Sequence, residues 1–249
     1  MTKLIFFLLL PVFLYAQAPI ENSFRFQLHG AVSSPINSSK SVNNNLIGRA
    51  IVGGGGGYLF ALRIKNEWYA GLNFNILSYT IDEKALKETM YKRYQLLGHY
   101  TTVTGTAKRA TISNINFEIA YKKRTRIIEI EPFVRMGVAM MDGIEQSKVT
   151  IKRKNSNYTE YKDMGPEQLS YAAASLNAGL RFFKKISRKG GIAASVHYAF
   201  APYNITMKEN TKDYLGTDYP GHTFKVYQPF QALQYELGIQ FRFYKKQSQ

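Results

Sequence analysis

Four histidines are the whole supply of side chains that exchange protons near neutral pH, and the absence of cysteine removes thiolate nucleophiles, thiolate metal sites and disulfides. His99 and His222 lie in polar stretches without metal-ligand spacing, and His29 sits in an alternating segment beginning at Phe24. His197 is the one candidate for catalysis. In Ser195-Val196-His197-Tyr198-Ala199 it stands two residues from a hydroxyl. On a strand, His197 and Ser195 therefore share a face, and a neutral imidazole activates a serine when a carboxylate orients the ring. The five glycines from Gly53 to Gly57 offer amides to a phosphate, but no Gly-Lys-Ser/Thr follows and the run sits inside a strand pattern. A bend, or the close approach of a side chain from across the fold, is the expected role. No cofactor and no metal is expected.

The remaining chemistry is charge. Arg25, Arg135, Arg181 and Arg242 occupy polar positions of strand-like segments, as do Glu118, Glu129, Glu131 and Glu236: four positive, four negative. What must position them is legible in the periodicity. Leu233, Tyr235, Leu237, Ile239, Phe241 and Phe243 alternate with Gln234, Glu236, Gly238, Gln240 and Arg242, a period of 2 that belongs to a strand with unlike faces. The same pattern recurs at Phe24–Leu28, Trp68–Ile76, Ile115–Tyr121, Ile128–Val138, Ala174–Phe182 and Ile192–Phe200, and more weakly at Ile51–Leu62, making eight segments. Short connections (63–67, 122–126, 184–190) alternate with long polar ones (33–49, 81–108, 143–167, 204–229), and an even-numbered meander of this kind is the layout of an up-and-down antiparallel transmembrane barrel. Within the second long connection, Leu86, Met90, Tyr94 and Leu97 change the period to 3.6, which predicts a short amphipathic helix between Asp82 and Leu97.

Composition bounds the class. Of 249 residues, 45% are hydrophobic and 14% aromatic, too many to bury for a disordered chain. Residues 1–18 place Lys3 before a twelve-residue, mostly apolar run (Leu4 to Tyr15) and end in small residues, which predicts an export signal cleaved after Ala16 or Ala18. Residues 19–249 are then the barrel domain; no other stretch is apolar for long enough to form a transmembrane helix, and no lipoprotein cysteine is present.

Alternation alone does not separate a membrane barrel, greasy outside, from a soluble lipocalin-like barrel, greasy inside. The balance of charge does. A water-exposed face has no reason to match its signs, whereas a narrow, partly dry lumen must pair its ions, and arginine suits such forks. Phe24, Phe60, Trp68, Tyr121, Phe182 and Phe243 close the apolar faces at the short-turn end as an interfacial girdle would.

The last segment, Glu236-x-Gly238-x-x-Phe241-x-Phe243, resembles the C-terminal assembly signal through which outer-membrane barrels are received by the barrel assembly machinery. With the export signal and eight segments, the chain resembles the small outer-membrane β-barrel proteins of the OmpA-domain and OmpX type, in the broad porin-like group. That resemblance implies an all-β, eight-stranded barrel in the cell outer membrane of a Gram-negative organism, embedded in outer-membrane lipids, with short turns and termini in the periplasm. Some barrels of similar size are lipid A deacylases with a His-x-Ser pair on a strand; here the position two after His197 is Ala199, and both His197 and Ser195 are expected to face inward. A non-enzymatic structural or surface-interaction barrel with a plugged polar lumen is therefore expected, ahead of a lipid A-modifying enzyme or a small diffusion pore.

Thirty-three Lys and Arg against 17 Asp and Glu leave a net +16. Twelve of the cations, from Arg63 to Lys246, fall in the short turns and the C-terminal tail, where they form a basic ring facing anionic head groups of the inner leaflet. Charge divided among turns of an exported chain, without a base-stacking stripe, excludes nucleic acid as a partner. The long loops are rich in Tyr, Asn, Lys and Thr, a composition that suits contact with surface glycan or protein.

Overall fold

The computed structural model describes residues 24–36, 50–95, 99–104, 109–143, 147–153, 159–187, 189–213, 215 and 217–243. The residues read as an export signal and the six residues after Phe243 lie outside them. Eight strands form a ring: β1 (Phe24–Pro35), β2 (Ala50–Lys65), β3 (Trp68–Ile81), β5 (Arg109–Tyr121), β7 (Glu129–Asp142), β10 (Ser170–Lys185), β11 (Gly190–Lys212) and β12 (Asp218–Phe243). Each pairs antiparallel with the next, and β12 pairs back onto β1 from Phe24↔Phe243 to Pro35↔Ala232, so the sheet closes. Closure leaves the ring without a free edge, the condition for a sheet to sit in lipid.

The pleat then sorts the side chains. Leu28, Ile76 and Leu237 are about 60% exposed (58%, 60% and 64%) on the outer surface. Their neighbours in sequence (Gln27, His29, Asn75 and Glu236) are buried inside, each at 4% exposure or less. Greasy residues face out and polar residues face in, in agreement with the charge balance. Near the short-turn end the outward aromatics touch in sequence around the rim: Phe60 to Phe24 at 6.0 Å, Phe24 to Phe243 at 5.7 Å, and Trp68 to Tyr121 at 5.1 Å between ring centroids.

Three of the long connections differ from the expectation of loops. In the fourth, strand continues through Lys212 and resumes at Asp218, so that β11 has 23 residues and β12 has 26. A span needs only about 10, so the hairpin stands about 15 residues, or roughly 50 Å of chain, beyond it. The cause is a period-2 run set among polar residues: Tyr203, Ile205, Met207 and Val226 all point inward and are buried, which makes pairing worthwhile above the membrane. The tip closes on Asp213, whose carboxylate accepts the backbone N–H of Thr217 (2.8 Å) and Leu215 (2.9 Å); these bonds hold it below the usual carboxylate range. In the third connection, β8 (Ser147–Arg153) and β9 (Thr159–Pro166) form a hairpin whose second strand pairs with the upper part of β11. β4 (His99–Thr104), from the second connection, adds to β8, so a side sheet rises from one wall of the barrel. The two-residue β6 (Lys123–Arg124) pairs with β7 at the opposite end.

The helix predicted over 82–97 is present as α1, Glu83–Gln95. Asp82 caps it by accepting the Ala85 N–H at 3.0 Å, and Glu83 pairs with Lys87 one turn on. Its Leu86, 1% exposed, joins the buried cluster of Tyr79, Met141, Met164, Tyr203 and Met207. Leu86 thus anchors the helix over the mouth of the barrel; the side chains of Met90 and Tyr94, and Leu97, lie outside the described residues.

The glycine run acquires a specific reason at Gly53. Ser33, Gly53 and Tyr79 stand side by side on β1, β2 and β3, and the Tyr79 ring lies across the glycine to donate its hydroxyl to Ser33 Oγ at 2.9 Å. A Cβ on residue 53 would come 2.4 Å from that ring, whereas one on Gly54 would meet nothing within 4 Å. The approaching side chain comes from the neighbouring strand. Gly53→Val should therefore cost about 1–3 kcal/mol by displacing the ring, and Gly54→Val should be close to neutral. The temperature at which the folded band converts to the unfolded band on a denaturing gel measures both.

Candidate functional site

The lumen is built from inward positions, and its two halves differ. Toward the short turns lie the eight charges. Arg135, at the centre of β7, holds Glu236 with both terminal nitrogens (2.7 and 3.1 Å) and Glu118 with Nε at 2.8 Å. Arg181 on β10 reaches the same Glu118 (2.6 and 3.0 Å) and also Glu131 at 3.2 Å. Glu131 in turn accepts Arg25 at 2.5 Å, and Arg242 stands 3.9 Å from it while donating to Glu129 at 2.6 Å. The eight residues make one continuous chain in which every carboxylate touches arginine. Glu118, Glu131, Glu236, Arg25, Arg135 and Arg181 are each no more than 2% exposed.

Aromatic rings pack against the cations. Phe133 offers its ring to the guanidinium groups of both Arg135 (4.5 Å to the ring centroid) and Arg181 (4.9 Å), which meet at Glu118. Tyr69 carries Arg25 at 3.7 Å, and Phe183 carries Arg242 at 3.8 Å. A ring face attracts a cation where water is excluded. Phe133 is absent from the set of residues that the sequence singles out, although it occupies the inward position between Glu131 and Arg135; parity alone would have found it. Lys122 belongs by sequence to the basic ring, yet it turns inward at 2% exposure to meet Glu67 (3.1 Å) and the Tyr69 hydroxyl (3.0 Å).

His197 and Ser195 face the lumen, away from lipid. Ser195 Oγ donates to Glu236 at 2.7 Å, and His197 Nε2 lies 2.9 Å from Gln234 Oε1; no hydrogen bond joins the two among the described residues. His29 Nε2 sits 3.1 Å from Asn75 Oδ1, and Asn75 in turn donates to Glu236 at 3.3 Å. The members of the C-terminal motif divide by parity. Glu236 belongs to the ion chain, Phe241 and Phe243 face outward, and Gly238 points inward where a Cβ would come 2.7 Å from that of His29.

Above Glu236 the lumen changes character. Inward positions become Leu77, Tyr79, Ile112, Met141, Tyr203 and Ile205, a buried apolar cluster closed by Leu86 of α1. The expected polar lumen is thus polar only in its short-turn half. The half toward the long connections is greasy inside because its strands continue past the membrane, where burial requires an apolar interior. A closed sheet with an apolar outer belt, an aromatic girdle and ions confined to its interior has one stable setting, a bilayer.

The chain is an eight-stranded antiparallel β-barrel built to span a membrane.

No family model matches the sequence, and no curated protein matches it either. Solved structures similar to this barrel include a major outer membrane protein from Thermus thermophilus (10% identity over 88% of this chain and 99% of that one, TM-score 0.47). Outer Membrane Protein W of E. coli (13% identity, 91% and 100% coverage, TM-score 0.42) is another. A third is Ail, the attachment invasion locus protein of Yersinia pestis (10% identity, 90% and 100% coverage, TM-score 0.41).

Removing Glu236 leaves Arg135 sharing Glu118 with Arg181 and leaves one uncompensated positive charge in the lumen. Glu236→Ala in this barrel should lower stability by about 3–5 kcal/mol. The double replacement Glu236→Ala with Arg135→Leu should recover much of that loss, since it removes both charges. Urea unfolding in detergent micelles, read as a double-mutant cycle, gives the two values.

Proposed function

We propose that this barrel is a non-enzymatic surface protein, closed to ions, that presents its elongated β11–β12 hairpin and side sheet as a contact surface outside the cell. The observation that carries the reading is the filling of the lumen along its length. Ion chain and aromatic plates occupy one half, and the apolar cluster under Leu86 occupies the other. An eight-stranded ring has an interior that side chains fill, whereas aqueous pores use about 16 strands. Solvent-facing Tyr161, Tyr219 and Tyr227 on the extended strands supply amphipathic contact area for a glycan or protein. The engagement of Ser195 by Glu236 and of His197 by Gln234 supports the absence of a serine nucleophile. The C-terminal strand, with Phe241 and Phe243 outward, serves as the signal read by the assembly machinery.

The purified protein in planar bilayers should give no steady conductance; persistent channels from the monomer would favour the diffusion-pore reading. Overproduction should leave the lipid A mass profile unchanged. A profile altered by the wild type but not by His197→Ala would establish the enzymatic alternative instead. A strain lacking residues 206–225, which removes the hairpin end and the partner of β9 but leaves the β10–β11 and β12–β1 pairings that close the ring, should lose surface adhesion while keeping normal amounts of barrel in the outer membrane.

A further inference from the structure

We propose that the periplasmic end of the β5–β7–β10 wall carries a binding site for an anionic phospholipid of the inner leaflet, with Lys123 and Lys184 at its mouth. The outward columns of two strands pass from aliphatic to aromatic to lysine: Ile119, Tyr121, Lys123 at the end of β5 and on into β6, and Leu180, Phe182, Lys184 on β10. Both lysines are exposed, and neither has an ion pair among the described residues. Two acids at this end of the barrel are already engaged, Glu67 by Lys122 and Glu129 by Arg242 and Arg124. Between the columns runs β7. Its Ile130 is the register partner of both Lys123 and Phe182, and its exposed Pro132 is the partner of Leu180.

These six residues form a shallow trough. Pro132 and Ile130 are the floor, Tyr121 and Phe182 flank it, and the Cα atoms of the two lysines stand roughly 12 Å apart, two strand spacings across and two residues along. That opening suits the phosphate of a lipid whose acyl chains lie along the floor toward Val134. A lysine held on the lipid-facing surface just beyond the girdle is at head-group depth, where its charge attracts anionic lipid. The trough is a feature of the wall and is independent of what the extracellular hairpin contacts or whether the lumen conducts.

Trp68 is the one tryptophan and lies 5.1 Å from Tyr121, so its fluorescence reports the lipid beside the trough. The protein is reconstituted into mixtures of phosphatidylcholine and phosphatidylglycerol, with bromine placed on the acyl chains of one lipid or the other. Quenching of Trp68 then gives the relative association of the two lipids. Wild type should prefer phosphatidylglycerol by between about 3-fold and 25-fold, the upper figure being two lysines at roughly fivefold each. The preference should fall toward unity in about 1 M salt and in K123Q/K184Q, and persist in K123R/K184R. It should also persist in R126Q/K189Q, which removes the same charge from the tips of the adjoining turns. No preference in the wild type overturns the proposal. So does a preference that survives K123Q/K184Q, or one that falls equally in both charge-removing pairs, since the latter describes a diffuse basic rim and not a site.

Discussion

An eight-stranded ring is too narrow to keep a shell of water around an ion, so any charge placed inside must meet its counter-charge there. Much of the structure follows from that constraint. It explains why the lumen uses arginine, whose planar fork can engage two carboxylates at once, as Arg135 and Arg181 do. It also explains the aromatic rings against the guanidinium groups, whose faces attract cations where solvent is excluded. The pairing spans distant segments: Arg25 and Glu131 are 106 residues apart, and Arg135 and Glu236 are 101 apart. The ions therefore fix which strands face one another across the barrel as well as the neutrality of its interior.

Glycine is the companion of this crowding. Tyr79 reaches Ser33 over Gly53, His29 meets Asn75 beside Gly57, and Ser175 meets Asn116 over Gly137, in each case joining strands that are not neighbours. At Gly57 a Cβ would lie 2.5 Å from Asn75 Oδ1, and at Gly137 it would lie 2.8 Å from Asn116 Oδ1. The missing side chain is thus a passage for a hydrogen bond between second neighbours around the ring. Such bridges stiffen the wall against ovalisation in a way that backbone pairing, confined to adjacent strands, does not.

The architecture was legible in the sequence where one face is wet and the other greasy. Strand number, inward charges and girdle all rest on that contrast, and the helix over 83–95 announced itself by a change of period. Where both faces of a strand are mixed, the same logic failed. In β11 and β12 above the membrane, the outer face carries Lys208, Lys225 and Tyr227 and the inner face Tyr203, Met207 and Val226. With Pro220, Gly221 and Pro229 interspersed, the stretch reads as loop. The ion chain was readable as a set of residues but not as a set of partners, because depth in a tilted barrel depends on register, and register is not written in any one segment. Phe133 was missed for a simpler reason: attention to polar residues on a polar face hides the aromatic that belongs among them.

The long hairpin also has a mechanical character. A force applied at its tip runs along the strands and loads their lateral pairings in shear, so the bonds share it instead of opening one after another. β11 is held by ten residue pairs to β10, and β12 by twelve to β1. Below them the arginine chain ties both strands to the opposite wall through Ser195, Glu236 and Arg242. A barrel pulled from outside would therefore transmit tension into the bilayer as a rigid body, and the weakest link would be its hold on the lipid and not the protein itself.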